Sequence, residues 1–170
     1  MSADQISVLF VCLGNICRSP LAQGVFEHLV RERGLEPRFR IASAGTGHWH
    51  IGRPPDPRSC AVATRHGITL RSRAQQIDPA THFDDHSGGF HWLIAMDRAN
   101  RDDMLSVGAP APRVRLFRSF DPDLAGRPDA ELDVPDPYYG GPEGFDHVFA
   151  MVRSASAGLL DHLLKNPRAM

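Results

Sequence analysis

Residues 8–20 read Val8-Leu9-Phe10-Val11-Cys12-Leu13-Gly14-Asn15-Ile16-Cys17-Arg18-Ser19-Pro20. The run from Val8 to Val11 is apolar without alternation, the pattern of a strand buried on both faces of a parallel sheet. Cys12 closes it and a short loop follows. From Arg18 or Ser19 the pattern turns helical, with Pro20 in the first turn, where its missing N–H leaves nothing unpaired. Leu21, Val25, Phe26 and Leu29 fall on one side of this helix, and Gly34 can stop it through a left-handed cap.

Outward from this unit the same alternation repeats. Residues 39–43 make a short second strand ending in the turn Ala44-Gly45-Thr46-Gly47. After Pro54-Pro55-Asp56-Pro57, residues 58–66 have a helical pattern that stops at Gly67. Residues 92–96 read as a third strand, 97–107 as a helix, 114–117 as a fourth strand and 145–164 as a long final helix. The pattern predicts an α/β fold: a single domain over residues 1–170 (core about 7–165) with a four-stranded parallel sheet and helices on both faces. In such sheets ligands bind beyond the carboxyl ends of the strands. Cys12, Ser43 and Asp97 all fall at that edge. Residues 76–90 and 121–144 form two long irregular stretches, and connections of this length are more often functional than decorative.

Composition sets outer limits. A chain of 170 residues can bury a sizeable core. Its 19 Lys plus Arg against 20 Asp plus Glu give a formal charge of -1, which offers no general attraction to nucleic acid or an anionic membrane. There is no apolar run of membrane-spanning length, so no stable membrane association is expected. Met1-Ser2-Ala3-Asp4-Gln5 enters the first strand without the basic segment and apolar stretch of a signal peptide. Three cysteines are too few for a disulfide scaffold. A cytoplasmic setting follows as the expectation, with export by an unconventional route left open.

The loop carries the chemistry. Arg18 lies six positions after Cys12, so the chain can curl into a cradle with a thiol at its floor and a guanidinium on its rim. A phosphate ester needs this arrangement. Backbone N–H groups and a helix N-terminus receive its oxygens, a two-pronged cation clamps them, and a nucleophile sits beneath the phosphorus. A lone cysteine at a strand end is usually a small buried residue. Gly14, which lets the chain approach a ligand closely, together with Arg18 and the helix start, points instead to a nucleophile. A cation at a helix N-terminus is at the wrong end of the dipole unless a dianion joins it. Ser19 can donate to the Cys12 sulfur. Asn15 suits a left-handed backbone and can hold the loop by bonding to Ser43. A departing alcohol or phenol also needs a proton. Asp136, stiffened between Pro135 and Pro137 and followed by Tyr138 and Tyr139, is the candidate donor, with Asp133 read as a solvated turn residue.

These segments, with Ser43-Ala44-Gly45-Thr46, Pro54-Pro55-Asp56, Ala95-Met96-Asp97 and Asp136-Pro137-Tyr138-Tyr139-Gly140, resemble the low-molecular-weight protein tyrosine phosphatases over residues 7–165. The resemblance implies a phosphotyrosine-containing protein as substrate, a phosphocysteine intermediate and no metal or cofactor. Cys12 would then be the nucleophile, Arg18 the phosphate and transition-state ligand, and Asp136 the general acid. Leu13, Gly14, Asn15, Ile16, Cys17 and Ser19 complete the phosphate loop, and Ser43 supports it. Leu13, Ile16, Trp49, Tyr138 and Tyr139 wall the substrate pocket. Cys17 matches a loop cysteine able to form a reversible disulfide with Cys12. One departure stands out: many members carry a loop-steadying histidine where this chain has Ser72, which becomes the expected support. Related folds reduce arsenate or hydrolyse phosphoarginine. The first requires a distal cysteine pair, whereas only Cys60 follows Cys17. The second, by resemblance, prefers threonine at the position of Ile16 and lacks paired tyrosines.

Overall fold

The computed structural model describes residues 5–169; Met1 to Asp4, within the segment read as lacking a signal peptide, and Met170, within the expected domain, lie outside the described residues. In chain order the main elements are β1 (Ile6–Cys12), α1 (Arg18–Glu32), β2 (Phe39–Gly45) and α2 (Pro57–Arg65), then β3 (Trp92–Ala95), α3 (Arg98–Ser106), β4 (Val114–Leu116) and α4 (Pro142–Lys165). The four strands run parallel in the order β2-β1-β3-β4. This is the α/β sheet expected from the sequence.

β1 is central and buried throughout, which explains its unbroken apolar run. Its side chains still sort by period 2. Val8, Phe10 and Cys12 join the cluster formed with α1 and α4, while Leu9 and Val11 join Ala44, Leu93, Ala95 and Met104 of α3. Helices therefore cover both faces. Phe10 meets the ring of Phe26 from α1 at 5.6 Å and that of Phe117 at 5.3 Å, both edge-on, locking α1 to the sheet centre.

The boundaries depart from the sequence reading where tertiary pairing overrides local turn chemistry. β2 runs on through Ala44 and Gly45, expected to be turn, because they pair with Val11 and Cys12 of β1. β4 stops at Leu116, and Phe117–Phe120 tightens into a 3-10 turn. α4 begins at Pro142, using the proline as its first residue, ahead of the expected start at Phe145. The two irregular stretches are pinned rather than loose. Gln76 bridges to Gly45, and the Val134 N–H donates to Met96 O at 2.8 Å just beyond β3.

Gly158 in the middle of α4 marks its closest packing: a Cβ there would come within 1.8 Å of Phe120 O. Gly→Ala inside a helix normally gains about 1 kcal/mol. Here the obstacle is backbone, and overpacking that forces backbone apart costs about 1–3 kcal/mol. Gly158→Ala is therefore expected to lower the midpoint of urea or thermal unfolding; a raised midpoint would show that Phe120 yields freely.

Candidate active site

Residues 13–17 turn tightly between β1 and α1, and their geometry is set from three sides. Beyond β2, Thr46 N donates to Cys12 O and Gly47 N to Leu13 O, both at 2.9 Å. This approach requires Gly45, whose Cβ would stand 2.7 Å from Leu13 O. Ahead of α2, Asp56 N donates to Ile16 O at 2.7 Å and Ser59 Oγ to Cys17 O at 3.2 Å.

Asn15 holds the loop from within. At φ +56° it is the one non-glycine residue in the left-handed region among the described residues. Its Oδ1 accepts from the Gln75 N–H at 3.0 Å. A backbone N–H only donates, so the amide orientation is settled. Nδ2 then donates to Ser19 Oγ at 2.8 Å and to Ser43 Oγ at 3.0 Å. Ser43 Oγ–H donates in turn to Gln23 Oε1 at 2.7 Å. Ser19, already accepting, has its own proton free for Cys12 Sγ, 3.0 Å away. The Asn15 N–H donates to the same sulfur at 3.2 Å. Two donors thus converge on Cys12 Sγ, as a thiolate requires.

Arg18 opens α1 and is buried. Its NH1 donates to Asp97 Oδ2 at 2.6 Å and to Val134 O at 2.9 Å, and its NH2 lies 3.7 Å from Asp136 Oδ2. Burial works against the charge, but the fields of Cys12, Asp97 and Asp136 outweigh it and hold the guanidinium above the ordinary arginine range. Asp97 in turn caps α3, accepting from Asn100 N at 2.7 Å through its other oxygen.

A cavity of about 430 Å³ opens over the loop. Cys12, Arg18 and Asp136 line it together, with Asp136 3.7 Å from Arg18, and Leu13, Ile16, Trp49 and Tyr138 supply its apolar lining. The Asp136 segment is anchored: Oδ1 accepts from the Tyr138 N–H at 3.1 Å, and Arg58, paired to Asp56 at 2.9 Å, donates to Tyr138 O at 3.1 Å. Tyr139 also lines the cavity, 94% exposed. Cys12, Arg18, Asp136, Ser19, Asn15 and Ser43 therefore lie in one connected cluster.

Ser72 departs from expectation. It lies in a shallow groove against Gln23 and Glu27 of α1 and makes no hydrogen bond to Asn15 or Ser43. Gln75 supplies the support instead, through its backbone to Asn15 and through Nε2 to Ser43 O at 2.9 Å. The chain beyond Leu70 brings residue 75, not 72, to the loop, because Gly45 N and Ala74 N are bonded into the neighbouring backbone. Asp133 is engaged elsewhere, in a 3.0 Å ion pair with Arg98. Sequence reasoning placed Asp97 at the correct sheet edge but did not identify it as the partner of Arg18. It also missed His50, which lines the cavity close to Gly14. Trp49 stands between His48 and His50, and nothing in their spacing marks which of the two faces the loop.

A family model for the low molecular weight phosphotyrosine protein phosphatases matches residues 7–169. The chain belongs to that family. A low molecular weight protein-tyrosine phosphatase A from Mycobacterium tuberculosis is 42% identical over 159 residues, covering 94% of this chain and 92% of its own. Among solved structures, YfkJ from Bacillus subtilis is similar with a TM-score of 0.83 at 34% identity, covering 97% of this chain and 98% of its own. A Drosophila arginine phosphatase is similar at 0.79 and 28%, covering 91% and 96%. Family membership makes the protein a cysteine-dependent phosphatase.

The phosphatase keeps its second loop cysteine neutral. Burial first, then the negative field of Asp56 and of Cys12, pushes the Cys17 thiol from 9.0 up to about 12. A raised acid contributes stability that is fully present below its unfolded value and is lost as pH rises through its folded one. The wild type should therefore lose stability relative to Cys17→Ala between pH about 9 and about 12, at up to about 1.4 kcal/mol per pH unit. Parallel urea titrations of the two proteins measure this; a constant difference across that window would show that Cys17 faces no such penalty.

Proposed function

We propose that this phosphatase hydrolyses phosphotyrosine in phosphoproteins, with Cys12 as nucleophile, Arg18 as ligand of the phosphoryl group and Asp136 as general acid. The observation that carries the reading is a single cavity lined by the donor-held Cys12 sulfur, by Arg18 and by Asp136 beside it. The Cys12 thiolate attacks phosphorus, the bond to the phenolic oxygen breaks, and Asp136 gives that oxygen its proton. An entering phosphoryl dianion competes for the Arg18 NH2 that otherwise faces Asp136. Water then attacks the phosphocysteine while Asp136 takes back a proton. The sulfur–phosphorus bond breaks, and the returning thiolate is received by Ser19 Oγ and Asn15 N.

The aromatic and aliphatic walls from Leu13, Ile16, Trp49 and Tyr138 suit the flat ring of a phenyl phosphate. A phosphoguanidine would find no polar partner at Ile16. The cytoplasm is the compartment we propose, because the mechanism needs Cys12 reduced and Cys12, Cys17 and Cys60 are all free thiols. Among the described residues no helix is long and apolar enough to cross a membrane, and the near-neutral charge offers no footing for nucleic acid.

Cys12→Ser should retain the fold and lose turnover, because an alcohol is a far poorer nucleophile at neutral pH. A metal-free panel of phosphotyrosine, phosphoserine and phosphoarginine peptides tests substrate and nucleophile together. Variant turnover within tenfold of wild type, or preference for phosphoserine or phosphoarginine, would end this reading. Asp136→Asn removes the transferable proton while keeping shape. For phosphotyrosine, whose phenol has a pKa of about 10, kcat should fall by about 10²–10⁴. An aryl phosphate with a much more acidic phenol should lose far less. Equal losses on both would show that Asp136 only shapes the pocket.

A further inference from the structure

Trp49 and Leu13 line not one cavity but two. A second groove of about 390 Å³ shares them, lined further by the apolar Ile77, Pro79 and Val107 and by the polar Thr46, Gln76, Asp103 and Ser106. Among the described residues seven large apolar side chains are exposed. Five of these (Leu13, Trp49, Val107, Tyr138 and Tyr139) line one cavity or the other. Apolar exposure gathered around one opening marks a recognition surface. The shared wall is also held in place. The Trp49 ring is 61% exposed yet lies directly on Gly47, where a Cβ would meet Cζ3 at 1.9 Å. The far wall is fixed by the bond from Ile77 N to Gly45 O at 2.8 Å.

We propose that this groove binds an aliphatic side chain of the phosphoprotein, two residues from the phosphotyrosine. The inference rests on the phosphotyrosine reading of the first cavity. In an extended peptide alternate side chains leave the same face, about 7 Å apart. With the phosphotyrosine in the first cavity the chain crosses the Trp49 rim, and the residue at −2 or +2 turns down into the groove. Its walls reward an aliphatic group, while Asp103, which has no ion-pair partner among the described residues, repels an acidic one.

The test compares kcat/KM for phosphotyrosine peptides carrying Leu, Ser or Glu at −2 or at +2, and for free phosphotyrosine. At one of these positions Leu should exceed Ser by about tenfold, with Glu below Ser. Val107 is half-exposed at the end of α3, outside the first cavity. Val107→Glu should abolish the gain from Leu and leave free phosphotyrosine turnover within twofold. Val107→Ala, the milder change, should lose about threefold of the gain. No gain from Leu at either position, a gain surviving both variants, or equal loss on free phosphotyrosine in Val107→Ala would overturn the proposal. Wild type unable to turn over free phosphotyrosine would sink the phosphotyrosine reading and this one with it. Turnover without a preference for Leu would sink this one alone.

Discussion

Arg18 is a cation buried at the positive end of a helix, and the architecture around the site answers that conflict. Leaving a buried charge without its partner costs about 3–5 kcal/mol, more than any surface ion pair or helix cap contributes. The sheet order supplies the partner. Because β3 lies beside β1, Asp97 at the end of β3 arrives within 2.6 Å of Arg18 at the end of the β1 loop. The Val134 carbonyl adds a second acceptor, and the Val134 N–H is itself tied to Met96. That tether carries the chain on to Asp136 two residues later. Holding the guanidinium thus also delivers the acid.

The second constraint is directional. Hydrogen bonds around a sulfur serve a thiolate only if the protons point inward, and serine hydroxyls turn either way on their own. The sequence Gln75 N–H, Asn15 amide, Ser19 hydroxyl removes that freedom, since each member's role is dictated by the one before it. The left-handed Asn15 backbone is part of the arrangement: strained residues of this kind cost of order 1–3 kcal/mol and persist where surroundings over-determine them. The bonds through the Asn15 side chain, with Thr46 and Asp56 on the neighbouring backbone, do so here.

How far the sequence could be read follows from the range of each interaction. The β1 strand, the loop and the α1 start are local, so periodicity and Pro20 revealed them. Cys12, Arg18 and Asp136 were legible because their residue types match a reaction. The end of β2 was not, because Ala44 and Gly45 have turn-like composition and become strand only through pairing with β1. Gln75 was hidden for a sharper reason. Its decisive contact is a backbone N–H, which every non-proline residue possesses, so residue identity carries no signal. Asp97 looked like a helix cap, and it is one; its second oxygen acquires a partner only through strand order.

The two loop cysteines show what the fold adds beyond position. Cys12 and Cys17 are almost equally buried, at 3% and 5% exposure, so their difference lies in what offsets or adds to that burial. Their partners differ. The Cys12 sulfur receives the Asn15 N–H and the Ser19 hydroxyl and faces the Arg18 field. Cys17 sits near Asp56, whose carboxylate is held charged by hydrogen bonds from Arg58. A negative neighbour and a dry setting keep the Cys17 proton in place. Asp56 also does structural work, since its N–H grips Ile16 O and its side chain caps α2. The same residue that fixes the loop from outside therefore adds to burial in keeping the second thiol protonated, while the donors converge on the one sulfur at the cavity.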